Sequence, residues 1–134
     1  MLFVIYIGHE IAVHTLSHRT PSDYWAKASH EDLVHEIAGM KKKLESEGIS
    51  NVLGYRNPFL QTAGDATFRV LKEAGFLYDS TLPVHYTSIW WPYTFDNGGP
   101  PQCVIKPCPS GNLFNHFLDS FMRYLFLVPR IKII

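Results

Sequence analysis

The chain has 134 residues, 46% hydrophobic and 14% aromatic, which is typical of one globular domain. Twelve basic residues balance twelve acidic ones, so the formal net charge is zero. This balance argues against a nucleic-acid partner, because no surplus of positive charge is present to neutralise phosphates. The one basic run, Lys41 to Lys43, has acidic neighbours and is interpreted as the solvent-facing side of a helix.

Apolar stretches lie near both ends of the chain. Residues 2–7 are too few for a secretory leader and are interpreted as a buried strand. Residues 113–134 are apolar but are interrupted by Asp119, Arg123 and Arg130, so no clear membrane span is predicted. We expect this tail to form a helix or an irregular segment that is poorly integrated into the fold.

A strand followed by a helix is predicted in the first third of the chain. Apolar residues over 10–14 indicate a strand, and a polar loop leads from there to Ala28. Ser29 and Asp32 form an acidic variant of the helix capping box. The helix is predicted to end at Gly48, and its apolar side consists of Leu33, Ile37, Met40 and Leu44.

Two further strands flank a second helix. Residues 52–55 and 76–78 predict short strands, and a helix is expected from about 65 to 74, ended by Gly75. Residues 81–111 are rich in proline, glycine and aromatics and predict a long loop. The alternating order favours βαβ units and a parallel sheet or barrel, whose functional residues lie in the loops that follow the strands.

Two cysteines, Cys103 and Cys108, are five positions apart in a proline-rich segment. We predict that they are close enough to form a disulfide, as in an extracellular loop, with two free thiols as the alternative. A zinc knuckle is not expected, because no second pair of ligands flanks them.

Polar clusters follow each of the three predicted strands. His14 and His18 place two imidazoles four residues apart, which suits a metal but equally suits two loop histidines with hydrogen-bonding roles. Arg56 begins a polar turn and could brace a carboxylate through a forked hydrogen bond. Asp79 could satisfy a turn through Ser80, or it could orient a histidine.

An aromatic cluster occupies residues 90–93 in the long loop. Flat aromatic faces are common in sugar-binding clefts, although packing beneath the loop is the alternative for at least two of these rings.

Taken in order, four motifs resemble the NodB-homology polysaccharide deacetylases, and in particular the chitin deacetylase-like proteins of invertebrates. The motifs are residues 8–18, 56–60, 77–81 and 91–94. The resemblance covers residues 8–112, interpreted as a partial deacetylase domain, and leaves residues 113–134 as an apolar tail unlike the family. Four ordered motifs at family-like spacing are far more specific than any one of them.

The resemblance implies a fold, a reaction and a setting. The expected fold is α/β, a partial (β/α) barrel of the NodB-homology type found among glycoside hydrolases and deacetylases. The reaction is hydrolysis of acetamide groups on chitin or a related N-acetylated polysaccharide. It needs a divalent metal, zinc first, with cobalt or another transition metal as alternatives. The family is secreted, although no signal peptide is visible in this chain.

The resemblance also assigns roles to individual residues. His14 and His18 match the metal ligands, and Arg56 matches the arginine that braces the catalytic base. Phe59 replaces a tyrosine and keeps the aromatic ring and the backbone N–H that helps to bind the oxyanion. The remaining assignments are Asp79, which tunes the catalytic acid, and Trp91, which forms an aromatic wall beside the acetyl group.

Two family motifs have no counterpart here. The aspartates that supply the base and the third metal ligand lie before the histidine pair in the family, yet no aspartate precedes His14, and Glu10 is the nearest carboxylate. The Leu-x-His motif of the general acid is also missing. We therefore expect a truncated isoform or gene-model fragment with a foreign end that is inactive alone. A non-catalytic carbohydrate-binding relative, and a fragment without an independent role, are the alternatives.

Overall fold

The computed structural model describes residues 8–83, 85, 93–95, 103–110, 118–119 and 131–133, the last two stretches by their backbone alone. The strand expected over residues 2–7 and the ring of Trp91 lie outside the described residues.

Parallel strands form the centre of the described fold. The strands are β1 (Glu10–Ala12), β2 (Gly54–Tyr55), β3 (Tyr78–Asp79), β4 (Tyr93–Thr94), β5 (Leu118–Asp119) and β6 (Ile131–Ile133). β6 pairs with β1, and the other four lie in the order β2, β3, β5, β4, with only the β4–β5 pairing antiparallel. The two sets are joined where Val13 pairs with Tyr55 in parallel.

A long interrupted helix and a second, shorter helix cover the sheet. The helical segments are α1 (Asp23–Lys27), α2 (His30–Leu33), a π-helical turn (Val34–Ala38), α3 (Gly39–Ser46), a 3-10 turn (Pro58–Leu60) and α4 (Asp65–Glu73). The segments from His30 to Ser46 follow one another without a break. None of the described helices combines the length and apolar character that a membrane crossing requires.

The predicted start and end of the long helix are confirmed. The Ser29 hydroxyl accepts from the Asp32 N–H and the Asp32 carboxylate accepts from the Ser29 N–H, which is a capping box. Gly48 ends the helix with a φ of 85°, a conformation that glycine adopts without steric cost. All four apolar residues predicted to form its inner side are buried: Leu33, Ile37, Met40 and Leu44.

Three expectations are corrected. The polar loop before Ala28 contains the helix α1, because the Trp25 ring is fully buried and its Nε1–H donates to the Arg19 carbonyl at 2.9 Å. The long loop after residue 81 contains β4. The tail supplies β5 and β6 where we expected a helix or an irregular segment, since parallel neighbours pair with the backbone there.

The strand register separates two faces of the sheet. Val13, the residue after β1, is aligned with Tyr55 of β2, and Tyr55 is aligned with Asp79 of β3, so the three side chains share one face. Val13 and Tyr55 belong to the hydrophobic core together with residues of the long helix and α4. Residues of the opposite parity, which include Gly54 and Tyr78, therefore lie on the face turned away from these helices.

The predicted disulfide is confirmed: Cys103 and Cys108 are bonded, with their Cα atoms 5.9 Å apart. The small loop that they close rests on the segment before α4. Gln61 Nε2 donates to the Lys106 carbonyl at 2.7 Å, and Thr62 Oγ1 donates to the Pro107 carbonyl at 2.9 Å. The disulfide thus fixes a loop that contacts the chain just beyond the Arg56 turn.

Replacing both Cys103 and Cys108 by serine is expected to lower the free energy of unfolding by about 2 kcal/mol, because the bridge removes the closure entropy of a short loop from the unfolded chain. Urea unfolding followed by circular dichroism measures the change. Val104→Ala is the matched control, since Val104 lies in the same loop and is 52% exposed. A loss no larger than that of the control would mean that the loop's hydrogen bonds hold it without the bridge.

Candidate metal and catalytic site

The two predicted ligand histidines lie together beyond the end of β1. Their ring centroids are 5.0 Å apart, and the Phe59 ring lies 5.0 Å from that of His18 in an edge-on arrangement. His14 Nδ1 lies 2.7 Å from the Arg56 carbonyl oxygen. The structure therefore brings His14, His18, Arg56 and Phe59 into one cluster at the ends of β1 and β2.

The hydrogen bond to the Arg56 carbonyl determines the tautomer of the His14 imidazole. A carbonyl oxygen can only accept a hydrogen bond, so Nδ1 carries the proton and Nε2 presents its lone pair. Burial lowers the pKa of His14, and the neighbouring His18 and Arg56 act in the same direction against the hydrogen bond to the carbonyl. A neutral imidazole held by a backbone carbonyl is the usual state of a metal-binding histidine.

Backbone strain is concentrated in the two loops that carry the cluster. Thr15 and His18 have φ values of 72° and 49°, and Phe59 and Leu60 have values of 55° and 56°. In the described part of the chain, Asn51 is the one other non-glycine residue with a positive φ. Such conformations persist where the surrounding contacts enforce them, and they are frequent at functional sites.

Glu36 holds the histidine loop, a role that the sequence analysis did not identify. Its side chain is 1% exposed, and Oε2 accepts from the backbone N–H groups of Leu16 at 3.1 Å and Ser17 at 2.9 Å. Oε1 accepts from the Ser17 hydroxyl at 2.6 Å and lies 3.7 Å from Arg19 Nε. The available signal was its position three residues after Leu33, which puts a carboxylate on the buried side of the helix.

Arg56 is held by the residue that follows β3. Its Nε donates to the Ser80 carbonyl at 3.1 Å, and Nη2 donates to the Ser80 hydroxyl at 2.7 Å. These bonds fix the guanidinium on the same face as His14. No salt bridge joins Arg56 to Asp79 among the described residues, although each charge affects the pKa of the other.

Asp79 is fully buried and does not share the face of Arg56. The strand register aligns it with Tyr55, and its carboxylate accepts from the Thr81 N–H at 2.8 Å and from the Thr81 hydroxyl. The expectation that Asp79 and the histidines face one cavity is therefore wrong as to side-chain direction. Burial raises the pKa of Asp79 to about 7, against the opposing effects of Thr81, Ser80 and Arg56.

Glu10 forms a hydrogen bond with Tyr78 across the sheet. The Tyr78 hydroxyl donates to Glu10 Oε1 at 2.6 Å. To reach it from β3 the ring crosses over Gly54 in β2, where a Cβ would lie only 2.1 Å from Tyr78 Cζ. Glu10, the carboxylate nearest in sequence to the histidines, is therefore hydrogen-bonded on the sheet face that carries Gly54 and Tyr78.

The two histidines of the cluster could supply two nitrogen ligands to a metal. Within the described ranges, no group of three or more His, Cys, Asp and Glu side chains is placed to hold a metal ion. The donor chemistry of His14 fits a zinc-like ion, since its proton is on Nδ1 and its Nε2 is free to coordinate.

Two curated proteins from Bombyx mori are similar to this chain. Chitin deacetylase 8 is 39% identical over 113 residues, and chitin deacetylase 1 is 34% identical over 109 residues. These alignments cover 79% and 77% of this chain but only 29% and 20% of the two relatives. No protein-family model matches the sequence. These similarities mark the chain as a chitin deacetylase-like relative of the NodB family.

Proposed function

We propose that this chain forms part of a metal-dependent deacetylase that hydrolyses acetamide groups on a chitin-like polysaccharide. The observation that carries the proposal is the bond between His14 Nδ1 and the Arg56 carbonyl, with the His18 ring beside it. It prepares a metal ligand and joins it to the predicted brace of the base. The relatives named above carry the name chitin deacetylase, which supports the substrate class.

His14 and His18 would hold a divalent metal, zinc or else cobalt or another transition metal, which supplies Lewis acidity toward the amide carbonyl when bound. Arg56 is positioned by Ser80 to pair with a carboxylate on the histidine face. The Phe59 N–H would donate to the oxygen on which negative charge develops, and its exposed ring would contact the sugar.

Asp79 and Trp91 also have proposed roles in the deacetylase site. Because Asp79 is buried behind the site, it would act on the catalytic acid only through neighbouring groups such as Ser80. Trp91 would contribute an aromatic wall to the substrate cleft.

The proposal extends to the whole fold and its setting. Three parallel strands ending at one cluster are the arrangement expected for part of a (β/α) barrel, in which catalytic groups sit at the carboxyl ends of the strands. The bonded pair Cys103 and Cys108 supports secretion into an oxidising compartment.

A non-catalytic carbohydrate-binding relative is the second candidate. The exposed Phe59 ring, 44% accessible beside His18, offers a flat apolar surface for a sugar without any need for hydrolysis. Binding without turnover would distinguish this function from the first.

The chain is expected to bind zinc through His14 and His18 but to release little or no acetate from acetylated chito-oligomers. Zinc affinity is measured by competition with a chromophoric chelator, and His14→Ala should lower it by about 10–100-fold. His30→Ala is the matched control, because His30 is exposed and its ring lies beside Glu73 of α4.

Two outcomes would contradict these expectations. Equal zinc affinity in His14→Ala and the unaltered chain would contradict the proposed metal site. Acetate release approaching about 1 s⁻¹, an ordinary enzymatic rate, would show that other residues replace the missing base and acid. Glu10→Gln would then test the nearest carboxylate.

A further inference from the structure

The loop between His14 and His18 is anchored to the long helix by one buried carboxylate. Leu16 and Ser17 lie between the two histidines, and the backbone N–H groups of both residues donate to Glu36 Oε2. The Ser17 hydroxyl occupies Oε1. Three donors from two adjacent residues therefore converge on a single side chain.

The helix is shaped for this contact. Glu36 lies in the π-helical turn Val34–Ala38, and a π turn inserts one extra residue into a helix. This lets Glu36 turn toward the loop while Ile37 and Met40 remain in the core. The Glu36 carbonyl also accepts from the Leu16 N–H at 3.1 Å, so main chain and side chain hold the same residue.

A second contact sets how closely the loop approaches. A Cβ on Gly39 would lie 2.9 Å from Leu16 Cδ1, so the Leu16 side chain lies directly against the helix. Thr15 and His18, at the two ends of the anchored stretch, have positive φ values, and the His18 N–H bonds the Thr15 hydroxyl at 3.3 Å. The anchored loop therefore takes a conformation that its own residues disfavour.

We infer that Glu36 is a positioning residue for the metal site: it holds the backbone between the two ligand histidines so that both rings face the same point. The inference rests on the proposed function, and it assigns Glu36 no contact with metal or substrate. Its negative charge is offset by Arg19, which lies 3.7 Å away and stacks over the Tyr24 ring at 4.9 Å.

The test measures zinc affinity by chelator competition and hydrogen exchange of the Leu16 and Ser17 amides in the full chain. Glu36→Ala should weaken zinc binding about tenfold or more and should speed exchange of both amides. Glu36→Gln should retain affinity within about threefold, because its amide oxygen still accepts the two backbone N–H bonds. Rescue by the isosteric variant separates positioning from mere charge.

Leu44→Ala is the matched control, because Leu44 is a buried residue of the same helix, far from the loop, and its truncation costs stability alone. It should leave the zinc affinity of the folded chain unchanged. Equal weakening in Leu44→Ala and Glu36→Ala, or zinc affinity within twofold of the unaltered chain in Glu36→Ala, would overturn the inference. If His14→Ala also leaves zinc affinity unchanged, the metal site itself is wrong; if only Glu36→Ala does so, Glu36 alone is misassigned.

Discussion

The unaltered chain is expected to lose stability as the pH rises from about 4 to about 7, and Asp79→Asn is expected to abolish this loss. The carboxyl group is fully buried, and burial raises its pKa from 3.8 to about 7. Below pH 4 the group is protonated in both the folded and unfolded chain. Between the two pKa values the folded chain keeps a proton that the unfolded chain has lost, so stability falls as the pH rises.

The size of this effect follows from the shift. A pKa shift of about three units corresponds to a loss of about 4 kcal/mol in the free energy of unfolding, and this loss is complete above pH 7. Asparagine carries no charge and can still accept the Thr81 N–H bond. Urea unfolding at a series of pH values should therefore give a steeper decline for the unaltered chain than for Asp79→Asn. Parallel pH profiles for the two would show that Asp79 is ionised in the folded chain throughout this range.

Gly54→Ala is expected to destabilise the chain by about 3 kcal/mol, a large effect for one methyl group. The new Cβ would lie 2.1 Å from Tyr78 Cζ. The ring must then move, and its hydroxyl would lose the bond to Glu10, a bond to a charged group. Chemical denaturation gives the change in the free energy of unfolding.

A double-mutant cycle tests the cause. In a Tyr78→Ala background the ring is gone, so adding Gly54→Ala should cost less than about 1 kcal/mol. Tyr78→Phe removes the hydroxyl but keeps the ring, and it should leave Gly54→Ala costly. If Gly54→Ala costs the same in all three backgrounds, the penalty comes from the backbone of β2 and not from the ring.

The long helix and α4 could be predicted from local sequence because their determinants are local, whereas α1 was missed. Ser29 and Asp32 are three residues apart, and the buried residues recur at helical spacing from Leu33 to Leu44. The cluster at the strand ends was predictable for a similar reason. Once β1 and β2 are parallel neighbours, the residues that follow them, such as His14 and Arg56, must meet.

Side-chain direction was harder to predict, since it depends on register between distant strands. Asp79 and Ser80 are adjacent, and the sequence does not say which one shares the face of Arg56. The pairing of Tyr55 with Asp79 decides this, and a shift by one residue would reverse it. The Glu10–Tyr78 bond joins residues 68 positions apart and has no local signal.

The strands β5 and β6 were missed because their partners are remote. The tail from residue 113 carries apolar residues that also fit a helical stripe, and short apolar runs do not distinguish the two structures. Leu118–Asp119 pairs with β3 and Ile131–Ile133 with β1, so tertiary pairing determined the outcome. Glu36 was missed because the acidic neighbours of the run Lys41 to Lys43 were interpreted as part of the solvent-facing side of the helix.

The separation of the two sheet faces has an evolutionary consequence. Val13 and Tyr55 maintain the core, whereas His14, Arg56 and Ser80 lie on the other face and outside the core cluster. Substitutions of His14 or Arg56 therefore leave the residues of the hydrophobic core in place. Under the proposed function, a lineage could lose hydrolysis through substitutions at a few positions and keep a folded chain whose exposed surface is available for a new use.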